Sequence, residues 1–438
     1  MPLTDQKIYR ETMRLSEIEG DLFIEDGRAE AEEDKINVSG RIICQRDCEL
    51  IGDIEADSLL CRRGDITVHG TLNIKRIEIK DGRLIVSGSV VSDEIRVDKS
   101  LEVGETLEAE MVRVGGSTEV RGDVKAGRIK VGGSFRVEQD SNVEYVDVGG
   151  SYRVTGKSTS RTINVGGTFK TGEVEAEEID IGGTCTVYGE ANVDSIDVGG
   201  TVKLSGGKIK RKIDVGGTLK SSEHLEFGDI DVGGTVKLEA GGVGQIIDVG
   251  GTLSSEGPLQ FVRIDVGGTV KLRGNSKGES VSVGGTLKAY GDLDVSNRFK
   301  VGGKAAIDGS LSASSVRVGG KIEADKIIAE QFIEASSLKT RYGAKATRIE
   351  IERRGSVRGP LIGDIITLKD RAQAEDIYAD RIQLRGRCRA GNLYGRVVWI
   401  DRGCDVESVT YTEELKADGS VRIRNGSRKS EELPEPPI

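Results

Sequence analysis

The chain has 438 residues, of which 61 are glycine, only 6 are proline and 4% are aromatic. Glycine without proline excludes collagen-like and proline-rich disordered classes and favours strands joined by tight corners. The net charge of −10, with both signs interleaved and no basic block, argues against a nucleic-acid partner, and no apolar run is long enough to cross a membrane.

Residues 1–35 are acidic and lack the basic-then-apolar layout of a signal peptide. They are expected to cap the rest of the chain or to form a flexible tail. A competing reading, an amphipathic membrane anchor around Ile8, Met13 and Leu15, is opposed by acids throughout the stretch.

From residue 36 a repeat frame sets in. Its marker is an apolar residue, first Cys44, Cys61, Ile79 and Val97, at steps of 17 or 18. Over 114–320 the marker precedes Gly-Gly, at Val114, Val131, Val148, Val165, Ile181, Val198, Val215, Val232, Val249, Val266, Val283, Val301 and Val318. Ten of those twelve steps span 17, and the single 16 and single 18 cancel. The phrase IDVGGTVKL recurs from Ile196, Ile230 and Ile264, its starts two steps apart. Inside it, Ile and Val flank an outward Asp, and Val and Leu flank an outward Lys, the period of 2 expected of half-buried strands. A third apolar pair follows, such as Val124 and Ala126 or Leu225 and Phe227. Three short strands per turn predict an all-β fold: a single long, triangular parallel β-solenoid of about 17 residues per turn and about 22 turns. The Gly-Gly corners are expected to use glycine's access to positive φ.

Stacking places residues one turn apart in columns. Asp180, Asp197, Asp214, Asp231, Asp248 and Asp265 form one, which reads as a cation strip or as carboxylates accepting hydrogen bonds from corner amides. The threonines after Gly-Gly, Thr168, Thr184, Thr201, Thr218, Thr235, Thr252, Thr269 and Thr286, form another. Lys170, Lys203, Lys220, Lys237 and Lys271 stand two positions on, where they would spoil an ice-binding face, so the ladder reads as strand surface. All six cysteines fall in inward columns: Cys44 and Cys61 as markers, and Cys48, Cys185, Cys388 and Cys404 four positions after one. They read as small core residues, not zinc ligands, and point to a reducing cytosol. His69 and His224 belong to distant turns, so no catalytic triad can be assembled, and no phosphate-loop or dinucleotide motif occurs. No catalytic, cofactor or resident metal site is expected.

Residues 321–350 blur the pattern and are expected to form one irregular turn marked by Ala335. The frame resumes at Ile351, Leu368, Leu384 and Ile400 and ends near residue 412, before a polar tail at 413–438 expected to be disordered. The last turn of the frame is strongly apolar: Val397, Val398, Trp399, Ile400, Val406, Val409 and Tyr411. By alternation Val397 and Trp399 face outward, which makes this turn a candidate assembly interface.

The stretches VSGRIICQRDCELIGDIEADSL (from Val38) and GSVRGPLIGDIITLKDRAQAEDIYADRIQL (from Gly355) resemble the bactofilins, the polymer-forming cytoskeletal proteins. The resemblance covers nearly all of residues 36–412, although the frame is several times longer than the short solenoid typical of bacterial members and its VGGT wording is unusually uniform. It implies a right-handed β-helix that polymerises end to end without nucleotide. The expected function is therefore a non-enzymatic cytoplasmic scaffold whose partner is itself, with membrane or cell-envelope association as a further expectation. The alternative is a monomeric rod that engages an envelope polymer or a partner protein through its Asp, Lys or Thr columns.

Overall fold

The computed structural model describes residues 4–437, and among them there are strands and corners but no helix. The chain divides into two compact units, Met1–Gly217 and Thr218–Ile438. Each is a parallel β-solenoid, and the chain winds about 25 turns of roughly 17 residues.

In the first unit, Ser100–Val103 and Leu107–Val114 make one turn. It sends three apolar pairs inward, Leu101 with Val103, Leu107 with Ala109, and Val112 with Val114, all buried. Alternation slips by one position between the second and third pairs, which turns the chain from one wall to the next. Leu107–Val114 lies in register under Val124–Val131, with Val112 opposite Ile129 and Val114 opposite Val131. Each fully buried Val, Ile or Leu contributes about 1.5–3 kcal/mol.

The ladder starts well before residue 36. Gln6–Tyr9 pairs with Leu22–Glu25, and Thr12–Leu15 pairs with the start of Gly27–Cys44. Ile8 and Leu15, proposed above as anchor residues, are buried in the core, and Met13 is half-buried. Residues 6–35 are therefore turns of the solenoid. They fall outside the repeat frame because their steps are uneven: Gln6 opposes Leu22, a short step, whereas Gly27 opposes Cys48, a long one. The exposed bulge at Glu32, Glu33 and Asp34 absorbs the extra length.

The corner glycines have a different cause from the expected one. No Gly-Gly pair that follows a marker has a φ in the left-handed region. These glycines stack on one another at very close range instead. A Cβ on Gly149 would stand 2.4 Å from the carbonyl oxygen of Gly132, and one on Gly150 would stand 2.7 Å from that of Gly133. The approach serves the ladder: the Gly149 amide donates to the Val131 carbonyl at 2.9 Å, and the Gly150 amide to the Gly133 carbonyl at 2.9 Å. Backbone pairing thus continues around the corner without a break.

In the second unit, one inward column alternates large and small. Phe227, Gly244, Phe261 and Gly278 occupy it, one in each successive turn. Each ring fills the space its neighbour lacks: a Cβ on Gly244 would meet the Phe227 ring at 2.0 Å, and one on Gly278 the Phe261 ring at 2.2 Å. The blurred stretch 321–350 lies inside the unbroken strand Lys304–Arg358 and keeps three inward pairs per turn, Ala335 among them and fully buried. It lacks only the Gly-Gly wording.

Pairing also passes residue 412. Asp405–Ala417 pairs with Arg389–Ile400, then Arg422–Ile423 and Ser427–Lys429 pair with Asp405–Ala417. The stretch expected to be a disordered tail therefore opens with further rungs of strand.

Candidate functional site

The aspartate column exists as a stack. In the first unit Asp180 opposes Asp197 and Asp197 opposes Asp214; in the second Asp231 opposes Asp248 and Asp248 opposes Asp265. Cations two positions earlier in the chain answer some of them. Lys212 Nζ lies 2.7 Å from Asp214 Oδ2, and Arg263 reaches Asp265 Oδ2 at 2.8 Å. The Asp197 carboxyl is held above the usual carboxylate range, chiefly by desolvation and then by the charges of Asp214 and Asp180. Among the described residues no three His, Cys, Asp or Glu side chains are grouped so as to hold a metal ion.

Amide capping is seen in another column, at a different corner. Asp123 Oδ1 accepts from the Asp140 amide at 3.0 Å, and Asp140 Oδ1 from the Lys157 amide at 2.8 Å. Asn275 and Asp292 repeat the pattern in the second unit, at 3.0 and 2.8 Å. Near the N-terminus Asp21 and Asp65 do the same for Arg41 and Arg83 and also pair with their guanidiniums, each at 2.7 Å. Those hydrogen bonds, side-chain first, hold both carboxyls below the usual range. A sequence signal was present, an Asp or Asn just before an inward pair and one turn below the next, but the uniform VGGT aspartates are more conspicuous.

The threonines also stack: in the first unit Thr168 opposes Thr184 and Thr184 opposes Thr201, and in the second Thr218, Thr235, Thr252, Thr269 and Thr286 follow one another. They are mostly half-buried. Three of the lysines two positions on belong to ion pairs: Lys220 and Lys237 share Glu239 at 3.1 and 2.8 Å, and Lys271 reaches Glu256 at 3.1 Å. This arrangement is that of strand surface.

All six cysteines are free and buried. Cys44 opposes Cys61 in adjacent rungs, and the Cys48 thiol points to backbone carbonyls, that of Arg46 at 3.4 Å. Contact with Cys48 and burial push the Cys44 thiol up, and burial lifts Cys61 to about 11 and Cys185 to about 12. The Cys388 thiol is likewise raised, by its contact with Cys404 and then by burial. His69 Nε2 lies 2.9 Å from Glu49 Oε1 on the surface, and among the described residues no nucleophile is hydrogen-bonded to it.

The apolar turn is brought together but is not the end of the ladder. Val397–Ile400 is paired on both sides, with Arg381–Leu384 and with Glu414–Ala417. Val397 is 8% exposed, and Val398, Ile400, Val406 and Val409 are buried, so the expectation of an outward, bare Val397 is corrected. Trp399 and Tyr411 are half-buried. Trp399 lies in contact with Arg381 and Lys416, whose charged groups are each 5.4 Å from its ring centroid, and its Nε1 donates to Glu414 Oε2 at 3.3 Å. The later rungs cover this turn, which removes it as a terminal interface. Comparison of the chain with protein-family models, with curated proteins and with solved structures gives no match.

Proposed function

We propose that the protein is a non-enzymatic structural scaffold, similar in kind to the bactofilins, which assembles with further copies of itself into filaments without nucleotide. The observation that supports this reading is the register. Rung after rung offers its neighbour the same backbone ladder, so a rung without a neighbour offers that ladder to a second copy. Among the described residues, Arg422–Ile423 and Ser427–Lys429 pair on one side only, with Asp405–Ala417. Leu415, Val421 and Ile423 are only half-buried there. This moves the proposed interface from the Trp399 turn to the rungs after it. Six free thiols suit a reducing cytosol.

Negative-stain electron microscopy across a concentration series tests the reading. Filaments are expected from the unmodified chain and discrete particles from Ile423→Glu, with unchanged circular dichroism. Discrete particles from the unmodified chain at every concentration would refute assembly.

A further inference from the structure

The second unit of this chain, whose net charge is −10 overall, carries a cationic cleft. Arg371, Arg385, Arg387, Arg402 and Lys416 line it, together with Trp399 and the acids Asp370, Asp401 and Asp418. Two arginines near it are held in short ion pairs, Arg396 with Glu413 and Arg424 with Asp405, each at 2.6 Å. By contrast Arg371, Arg385, Arg387 and Arg402 are exposed and, among the described residues, have no carboxylate within 4 Å.

The backbone of Arg371 and Arg387 is unusual as well. The corner that Gly403 turns at a φ of 70° is turned one rung earlier by Arg387, then by Arg371 and by Arg354, at 61°, 61° and 60°. L-residues are disfavoured there and glycine is not. The corner is the same construction each time: the Arg371 amide donates to the Gly386 carbonyl and the Arg387 amide to the Arg402 carbonyl, both at 3.0 Å. Nothing in that geometry asks for a guanidinium. Arg371 and Arg387, strained in this way in successive turns and both lining the cleft, mark a function carried by the side chain.

We propose that this cleft binds a ring-free ligand carrying several phosphates in a row. Guanidinium forks match phosphate oxygens in pairs. Three successive rungs, carrying Arg371, Arg385 with Arg387, and Arg402, span roughly 10 Å, a distance over which a short phosphate chain presents several charges. The one aromatic ring in the cleft is already engaged by Arg381, Lys416 and Glu414, so it offers no platform for a nucleobase. The site does not depend on filament formation.

Trp399 is the sole tryptophan and reports from the cleft itself. Titration of the whole protein with inorganic tripolyphosphate at fixed ionic strength is expected to give a saturable change in its emission. Arg371→Gly and Arg387→Gly, which the corner φ accepts, should each weaken binding about tenfold with the melting temperature preserved. A silent tryptophan, or unchanged affinity in both variants, overturns the site. Equal affinity for polyglutamate of matched charge overturns the phosphate assignment.

Discussion

Tyr152 shows how a narrow interior takes a large polar side chain. Its ring lies fully buried between those of Phe135 and Phe169, with centroids 5.0 and 5.2 Å away. Room for the phenol comes from small residues: Ser141 and Ser158, both buried, take positions where neighbouring rungs put Val124 and Val174. The Tyr152 hydroxyl lies 2.7 Å from Ser141 Oγ and 3.4 Å from Ser158 Oγ, and burial pushes its pKa up to about 12. Tyr152→Phe strands two buried serine hydroxyls and should cost about 1–3 kcal/mol in urea denaturation. In a Ser141→Ala, Ser158→Ala background the same change should cost much less. Equal costs in both backgrounds would show that the hydroxyl network contributes nothing.

For a single rung the critical dimension is the distance to the next one. Gly278→Ala pushes a methyl into the Phe261 ring and is expected to destabilise the second unit by about 1–3 kcal/mol, read as a lower urea midpoint. Phe261→Leu in addition should recover part of that loss, and a double variant no better than Gly278→Ala alone would contradict the size-matching account. The inward columns were legible beforehand, because Val114, Val131 and Val148 must share one face once the period is known. The reason for the glycines was not. A residue string shows that Gly149 lacks a side chain, whereas only stacking shows that the Gly132 carbonyl occupies the place where one would go. The capping aspartates were hard to single out for a related reason: capping depends on which corner lies one rung below, and Asp123 and Asp140 stand at a less uniform corner than Asp197.

Across the molecule, the clearest expectation concerns the thiols. All six cysteines are buried, and burial raises those such as Cys185. A thiol-specific reagent at neutral pH should therefore label none in the native protein and six in denaturant. Rapid native labelling of even one would contradict the packing. Two features escaped the repeat reading at this scale, for different reasons. The first turns step unevenly, Gln6 onto Leu22 but Gly27 onto Cys48, and the cleft residues Arg371, Arg385, Arg387 and Arg402 form no block in the chain. A composition summary cannot reveal residues that only the winding assembles.

The alternation of Phe227, Gly244, Phe261 and Gly278 bears on how such a chain lengthens. IDVGGTLKSSEHLEF from Ile213 and IDVGGTLSSEGPLQF from Ile247 each lead, after one intervening dipeptide, into IDVGGTVKL, so near-copies stand two turns apart. Gain or loss of a single turn would set ring against ring or leave glycine facing glycine. The heritable module in this stretch is therefore a pair of turns, and gene duplication that added such pairs whole would have extended the protein while keeping each phenylalanine above its hollow.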